Sequence, residues 1–333
     1  MPRWKEMRGV YSIPVTPFDE QGAVDYASLR SCVEFCVEAG ADGIVMPVMA
    51  SEGPTLTDAE RVKVISAGVK ATAGAVPFVA GVSGVSTQHS IELAKHAADA
   101  GADSLMAIPA PNAAGSSQIY DFFCELGEAT GLPVWIQNNR PPAAATVPTD
   151  LMVRLIKDTK TVKYVKEESL LPGQVMTKLF KDAGKSLKGV MGGMGGRFLT
   201  DEYRRGACGT MPAGHITDAH AKLWAALEKG RKLHPLPSGE GRGEGIRKSD
   251  PWEQHVSDEA REIWERMLPS LNFEFMFGVA AYKATFWKRG IIKTPYCRGA
   301  GGRGLDRLDM EELDLILDRM GGLLTWKKRK RRR

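Results

Sequence analysis

Short apolar runs alternate with helical patterns from residue 8 to about residue 230. Eight of the runs read as strands: Gly9–Thr16, Gly43–Met49, Pro77–Val82, Ser104–Pro109, Pro133–Gln137, Val162–Lys166, Leu187–Met191 and Cys208–Pro212. Between them, segments such as Tyr26–Ala39, Ala59–Ala71, Ser90–Ala100 and Ile119–Ala129 have helical periodicity. Strands alternating with helices at this spacing imply parallel βαβ units. The strands are almost uninterrupted in their apolar character, as expected when both faces of a sheet are buried. Eight units within about 220 residues fit a closed (β/α)8 TIM barrel better than an open sheet. A doubly wound open sheet would open an early helix with G-x-G-x-x-G, and no such motif stands there.

An internal echo supports the barrel. Gly40-Ala41-Asp42-Gly43, Gly101-Ala102-Asp103-Ser104 and Gly206-Ala207-Cys208-Gly209 each close a helix and open a strand, with a glycine suited to the left-handed position after the helix. The pattern breaks at His234–Pro251, a glycine- and charge-rich stretch without apolar periodicity. It reads as a flexible insertion between helices. Helical patterns resume at Ser257–Arg289 and Asp309–Met320, which we expect to form a C-terminal helical appendage. The expected organisation is therefore a barrel over 1–232, an insertion at 233–252, a helical region at 253–326 and a basic tail at 327–333.

Composition narrows the class. The chain has 333 residues, 43% hydrophobic and 26% charged, an ordinary globular mix. No apolar run reaches the ~20 residues a membrane span requires, and the amino-terminal residues lack a signal-peptide pattern. The five cysteines are few, odd in number and without CxxC spacing, so we expect reduced thiols and a cytoplasmic setting. Cys32 and Cys36, one helical turn apart, suggest a packed helix face. The net charge of +5 comes from the tail. Without Lys327–Arg333, 38 basic residues face 40 acidic ones, a body near −2. The tail reads as a solvated end, and no aromatic or arginine-rich pattern supports a nucleic-acid partner.

Candidate chemistry is sought at the carboxyl ends of the strands, where barrels of this kind place it. The run Val162-Lys163-Tyr164-Val165-Lys166-Glu167-Glu168-Ser169 is the most informative. Side chains alternate across a strand, so an inward Lys166 brings Tyr164 and Glu168 to the same side. A lysine ending an apolar strand is costly unless paired or functional. Burial lowers a lysine pKa and leaves more free amine, the form that attacks a carbonyl. The pattern equally admits an inward Lys–Glu ion pair without chemistry.

Gln137, ending the fifth strand ahead of Asn138-Asn139-Arg140, can orient a hydroxyl or a water, or its loop can simply cap its own backbone. Ala50-Ser51-Glu52 follows the second strand, where backbone N–H groups and a hydroxyl can bind a carboxylate. Thr57 and Glu60 form a capping box for the next helix, which leaves Ser51-Glu52 free for another role. Gly192-Gly193-Met194-Gly195-Gly196 lets backbone approach a ligand closely. The six histidines fall mostly on predicted helices or in the insertion, away from strand-end carboxylates, so no metal site is expected.

Together these residues resemble the dihydrodipicolinate synthase / N-acetylneuraminate lyase family of class I aldolase-type barrels. The resemblance rests on Thr16-Pro17-Phe18, on Ser51-Glu52 with Leu56-Thr57-Asp58-Ala59-Glu60-Arg61, and on Val165-Lys166-Glu167. It implies that Lys166 forms the Schiff base. The usual Gly-Thr-Thr-Gly-Glu loop reads Val48-Met49-Ala50-Ser51-Glu52, the strand-five tyrosine falls on Gln137, and the strand-four Pro-Tyr-Tyr reads Pro109-Ala110-Pro111. Without those tyrosines the proton relay of the synthases and sialic-acid lyases is absent.

The departures resemble the L-2-keto-3-deoxyarabonate dehydratase branch, through the Ser-Glu loop, Ile136-Gln137, Lys166-Glu167-Glu168 and Gly209-Thr210-Met211. Where that branch has Asp-Ala-Pro, this chain has Asn138-Asn139-Arg140. The resemblance implies a cofactor-free lyase acting on a small 2-keto acid, with Lys166, Glu168 and Gln137 catalytic. Ala50, Ser51, Thr16, Thr210 and Gly192 would bind the substrate. It implies a homo-oligomer, tetramer or dimer. A pyruvate-releasing aldolase and a non-catalytic sugar-acid-binding protein are the alternatives.

Overall fold

All eight apolar runs form strands in the computed structural model, which describes residues 6–111, 113, 115–140, 146–233, 252–299 and 304–326. The expected insertion at 234–251 and the basic tail lie outside the described residues. The strands are β1 Gly9–Ser12, β2 Gly43–Met46, β3 Phe78–Gly81, β4 Ser104–Ala107, β5 Val134–Asn138, β6 Val162–Glu167, β7 Gly189–Gly192 and β8 Gly209–Thr210. Each pairs in parallel with the next, and β8 pairs with β1 to close the barrel. The helices between them are α1 Tyr26–Glu38, α2 Asp58–Thr72, α3 Thr87–Ala100, α4 Ser116–Thr130, α5 Thr149–Asp158, α6 Pro172–Ala183 and α7 Leu199–Arg204, and α8 Thr217–Leu233 follows β8.

Several strands are shorter than the sequence suggests. β2 stops at Met46 because Pro47 has no N–H for the ladder. β1 stops at Ser12, and the expected extension to Thr16 makes only an isolated bridge from Ile13 to Ala213. β5 and β6, by contrast, run one residue further than expected, to Asn138 and Glu167. These two strands carry the residues of interest.

Alternation along the strands sorts side chains into two layers. Ile44, Met46, Phe78, Ala80, Val134, Ile136, Val165 and Val190 face the surrounding helices. Tyr11, Val45, Val79, Met106, Trp135, Tyr164 and Met191 fill the barrel. At its centre the Trp135 and Tyr164 rings stack, centroids 4.4 Å apart. Trp135 is register partner to Tyr164, and two residues on Gln137 is partner to Lys166. The aromatic pair is thus the floor beneath Gln137 and Lys166.

Among the described residues three helices follow the barrel: α9 Asp258–Phe277, α10 Val279–Lys288 and α11 Arg307–Met320. Leu223, Leu227, Met267, Leu271, Leu313 and Ile316 share a second apolar cluster that fastens α8, α9 and α11 together. The continuous pattern expected over Ser257–Arg289 is broken at Gly278, with φ 54° and ψ −128°. A side chain strongly disfavours that conformation, so the glycine permits the sharp redirection of the chain. The segment after α10 is pinned to the barrel. Arg298 holds Glu60 through two hydrogen bonds of 2.7 Å, and the Arg298 and Gly299 amides donate to Glu52.

Candidate active site

A cavity of about 240 Å³ opens at the carboxyl ends of the strands. Gln137, Lys166, Glu168, Ala50, Met194 and Tyr282 are among the residues that line it. Lys166 is 4% exposed, and its Nζ lies 3.0 Å from Glu168 Oε2. The same oxygen accepts a hydrogen bond of 3.1 Å from the Gln137 amide nitrogen. The other, Oε1, accepts one of 3.2 Å from the Met194 N–H. Three donors therefore fix one carboxylate at the mouth of the barrel.

The local sequence explains the arrangement. β6 ends at Glu167, whose side chain turns away from the cavity and is held by Asn138 Nδ2 and the Ser169 N–H, both at 2.8 Å. Burial raises the Glu167 carboxyl above its ordinary pKa. The Glu168 N–H donates to Asn138 O, which prolongs the ladder by one residue and aims the Glu168 side chain inward. The glycine run after β7 gives Glu168 its space. A Cβ at Gly193 would fall 2.1 Å from Glu168 Oε1. One at Gly195 would fall 1.6 Å from Glu274 Oε1.

The expected substrate-binding residues divide. Ala50 lines the cavity. Ser51 and Thr16 lie buried nearby, and neither hydroxyl has a partner among the described residues. The Ser51 and Glu52 amides, expected to be available to a carboxylate, instead close a tight turn by donating to Val48 O and Met49 O. Glu52 is not free as expected: it pairs with the fully buried Lys283 of α10. Thr210 and Gly192 do not face the cavity. They share a register level with Val10, which points into the outer cluster, and the space beside Gly192 is taken by Glu202. Burial raises the Glu202 carboxyl well above its ordinary pKa.

Sequence reasoning missed what the C-terminal helices bring. Tyr282 of α10 lines the cavity beside Gly278, its phenol pushed well above its usual pKa by burial and by the charges of Glu274 and Glu168. Behind it stands His215, ring centroids 5.1 Å apart. His215 Nε2 lies 3.2 Å from Glu274 Oε2, both residues buried. Desolvation dominates there. It raises Glu274 to about 8 and lowers His215 to about 3, so both are neutral near pH 7. The carboxylate beside His215 was not legible in the sequence because Glu274 comes from a helix far along the chain, and His89 likewise meets a helical carboxylate, Asp58, at 3.1 Å. Among the described residues no group of three or more His, Cys, Asp or Glu is placed to hold a metal ion. No helix among them is long and apolar enough to cross a membrane.

A larger cavity of about 850 Å³ opens at the opposite mouth, around Arg8, Lys163 and Tyr164. It lies on the face that barrels of this type use for stability, not for chemistry.

Fold and site together define a lyase-type barrel built around a buried strand-six lysine. Residues 6–212 match the profile of the dihydrodipicolinate synthetase family, and the chain belongs to that family. An L-2-keto-3-deoxyarabonate dehydratase from Azospirillum brasilense is 27% identical over 228 residues, 67% of this chain and 74% of that protein. A 4-hydroxy-tetrahydrodipicolinate synthase from Agrobacterium fabrum is 30% identical over 239 residues, 68% of this chain and 80% of that one. For several other synthases the chain spans about half the length of the relative, 55% for that of Chelativorans and 54% for that of Bacillus subtilis. The solved dihydrodipicolinate synthase of Rhodopseudomonas palustris superposes with a TM-score of 0.79 at 24% identity, covering 94% of this chain and 97% of that one. That likeness speaks for the fold.

Proposed function

We propose that this lyase dehydrates a 2-keto-3-deoxy sugar acid through a Schiff base on Lys166. One observation carries the reading: Lys166 Nζ and Glu168 Oε2 meet at 3.0 Å in a cavity that also holds the Gln137 amide. The Lys166 amine condenses with the C2 ketone and releases water. The resulting iminium is an electron sink that makes the C3 proton acidic. Glu168 removes that proton. The enamine then expels the C4 hydroxyl, and hydrolysis of the conjugated iminium returns Lys166.

Gln137 is a positioning residue in this scheme. Its amide is spent on Glu168, so it holds the base and does not itself exchange a proton. The Ser51 hydroxyl, buried without a partner among the described residues, is suited to the substrate carboxylate. Dehydration is favoured over aldol cleavage because a retro-aldolase needs a base at the C4 hydroxyl, and the strand-five position offers the neutral Gln137. The Azospirillum relative, a dehydratase by name, supports the same choice. We place the enzyme in the cytoplasm as a homo-oligomer.

The test is a panel of 2-keto-3-deoxy pentonates and hexonates, with products read by mass spectrometry and adducts trapped by borohydride. Loss of one water with a trapped adduct on Lys166 is expected. Pyruvate plus an aldehyde would make the protein an aldolase, and tight binding without turnover would make it a sugar-acid-binding protein.

A further inference from the structure

The dehydration just described leaves one proton unassigned. Hydroxide is a poor leaving group, so the C4 oxygen must receive a proton as its bond to carbon breaks. Here strand five gives Gln137, whose amide is a poor acid and is already committed to Glu168. Among the described residues lining the cavity, only three carry titratable groups: Lys166, Glu168 and Tyr282. Lys166 holds the substrate. Glu168 has taken the C3 proton. Tyr282 remains.

We propose that Tyr282, carried into the cavity by α10, is the proton donor to the departing hydroxyl. The inference rests on the Schiff-base dehydratase reading and assigns the group that reading lacks. The break at Gly278 makes the placement possible, since Gly278 and Tyr282 line the same cavity and a straight helix over 258–288 would take a different course. The ring is seated on His215 at 5.1 Å, and His215 in turn lies 3.2 Å from Glu274, so the phenol rests on a buried polar pair. Burial keeps the hydroxyl in its protonated form, the form from which a donor acts.

The step balances. Breakage of the C3–H bond sends the proton to Glu168 and the electron pair into the enamine. The enamine pair returns to form the C3–C4 double bond, and the C4–O pair leaves with oxygen. Tyr282 gives its proton to that oxygen, so water departs. The proton on Glu168 then passes to the Tyr282 oxygen, directly or through water, and both groups are reset. The substrate has lost one H from C3 and one OH from C4, with no oxidant or reductant involved.

The experiment runs the dehydration in D2O with Tyr282→Phe and the unaltered protein. In the variant, product formation is expected to fall by roughly 10²- to 10⁴-fold, the usual range for a lost general acid. Deuterium should still enter C3 of the unreacted substrate, and borohydride should still trap Lys166, because neither needs the phenol. The 4-deoxy-4-fluoro analogue should lose fluoride at close to the unaltered rate, since fluoride leaves with little help from a proton. Dehydration within about threefold of the unaltered protein would overturn the assignment. Loss of exchange and trapping together with dehydration would also overturn it, since Tyr282 would then serve shape alone. Should the phenylalanine variant not fold, 3-fluorotyrosine at position 282 keeps the shape and makes the phenol more acidic. Hydroxyl loss should then change in rate while fluoride loss does not, and an unchanged ratio would overturn the assignment. Absence of a borohydride adduct in the unaltered protein, or pyruvate among its products, would strike the dehydratase reading itself.

Discussion

Lys166 and Glu168 stand two residues apart at the end of one strand, and their side chains meet at 3.0 Å inside the barrel mouth. Proximity of this kind separates two roles that one variant each can expose. Lys166→Arg keeps the charge but loses the nucleophilic amine, and is expected to abolish both turnover and borohydride trapping. Glu168→Gln keeps the shape and should retain trapping, while turnover falls by roughly 10²-fold or more. Persistent trapping in the arginine variant, located by peptide mass mapping, would remove Lys166 from the chemistry.

Gly193 matters through the space it leaves. An alanine there would put its Cβ 2.1 Å from Glu168 Oε1, so the carboxylate must move. Misplacing a reacting group by ~1 Å can cost on the order of 10²-fold in rate. Gly193→Ala is expected to lower kcat by at least tenfold while leaving the Schiff base trappable. Steady-state kinetics beside borohydride trapping decides it.

Glu274 should leave a mark on stability versus pH. Its folded pKa, about 8, is raised above the ordinary 4.5. The folded state therefore holds this proton more tightly than the unfolded chain, so the contribution is full below about 4.5 and is lost as pH rises toward 8. The groups facing it are His215, Arg197 and Tyr282. His215 acts in the other direction. Its folded pKa of about 3 lies below the ordinary 6.5, so stability is lost as pH falls from 6.5 toward 3. Glu274→Gln should flatten the decline in Tm between pH 5 and 8, and an unchanged slope in a thermal-melt series would contradict the assignment.

The clasp between Arg298 and Glu60 holds the C-terminal segment on the first turn of α2. Arg298→Ala removes two charged hydrogen bonds of 2.7 Å, and others to Gly22 and Thr55. We expect a loss of about 2 kcal/mol, the scale of a partly buried charged hydrogen bond. Arg298 draws Glu60 down to about 2 from an ordinary 4.5. Its stabilisation is thus present above 4.5 and disappears as pH falls toward 2. Urea melts at pH 7 and pH 3 should differ for the unaltered protein by more than for Arg298→Ala.

The legible part of the molecule was local. Thr57 and Glu60 do form the capping box, and Gly40, Gly101 and Gly206 do take positive φ at the end of their helices. The alternation in β6 placed Lys166 and Tyr164 on one side because a strand's period is fixed by its backbone. What failed was distant. Glu52 read as free because Thr57 already supplies the cap of the next helix, yet Lys283 pairs with it from far along the chain. Gly192 read as a place where backbone could approach a ligand and Thr210 entered through the resemblance, but strand parity turns both outward. Tyr282 sits in an apolar helix, Val279-Ala280-Ala281-Tyr282, and such a tyrosine reads as core. Only the turn at Gly278 tells otherwise, and a lone glycine after Phe277 looks like any helix end.

The break at Gly278 also orders events during synthesis. Tyr282 follows Thr210, the end of the last barrel strand, by 72 residues, about 4–14 s of translation at the usual rate of ~5–20 residues per second. During that interval the barrel strands have emerged, but the helix that roofs their mouth has not. A barrel that closed in that interval would carry the amine of Lys166 and the carboxylate of Glu168 in an open cup, without the wall that Tyr282 and Val279 give the finished cavity. Completion of α10 ends this exposure, so the last helices shield the lysine as well as furnish the site.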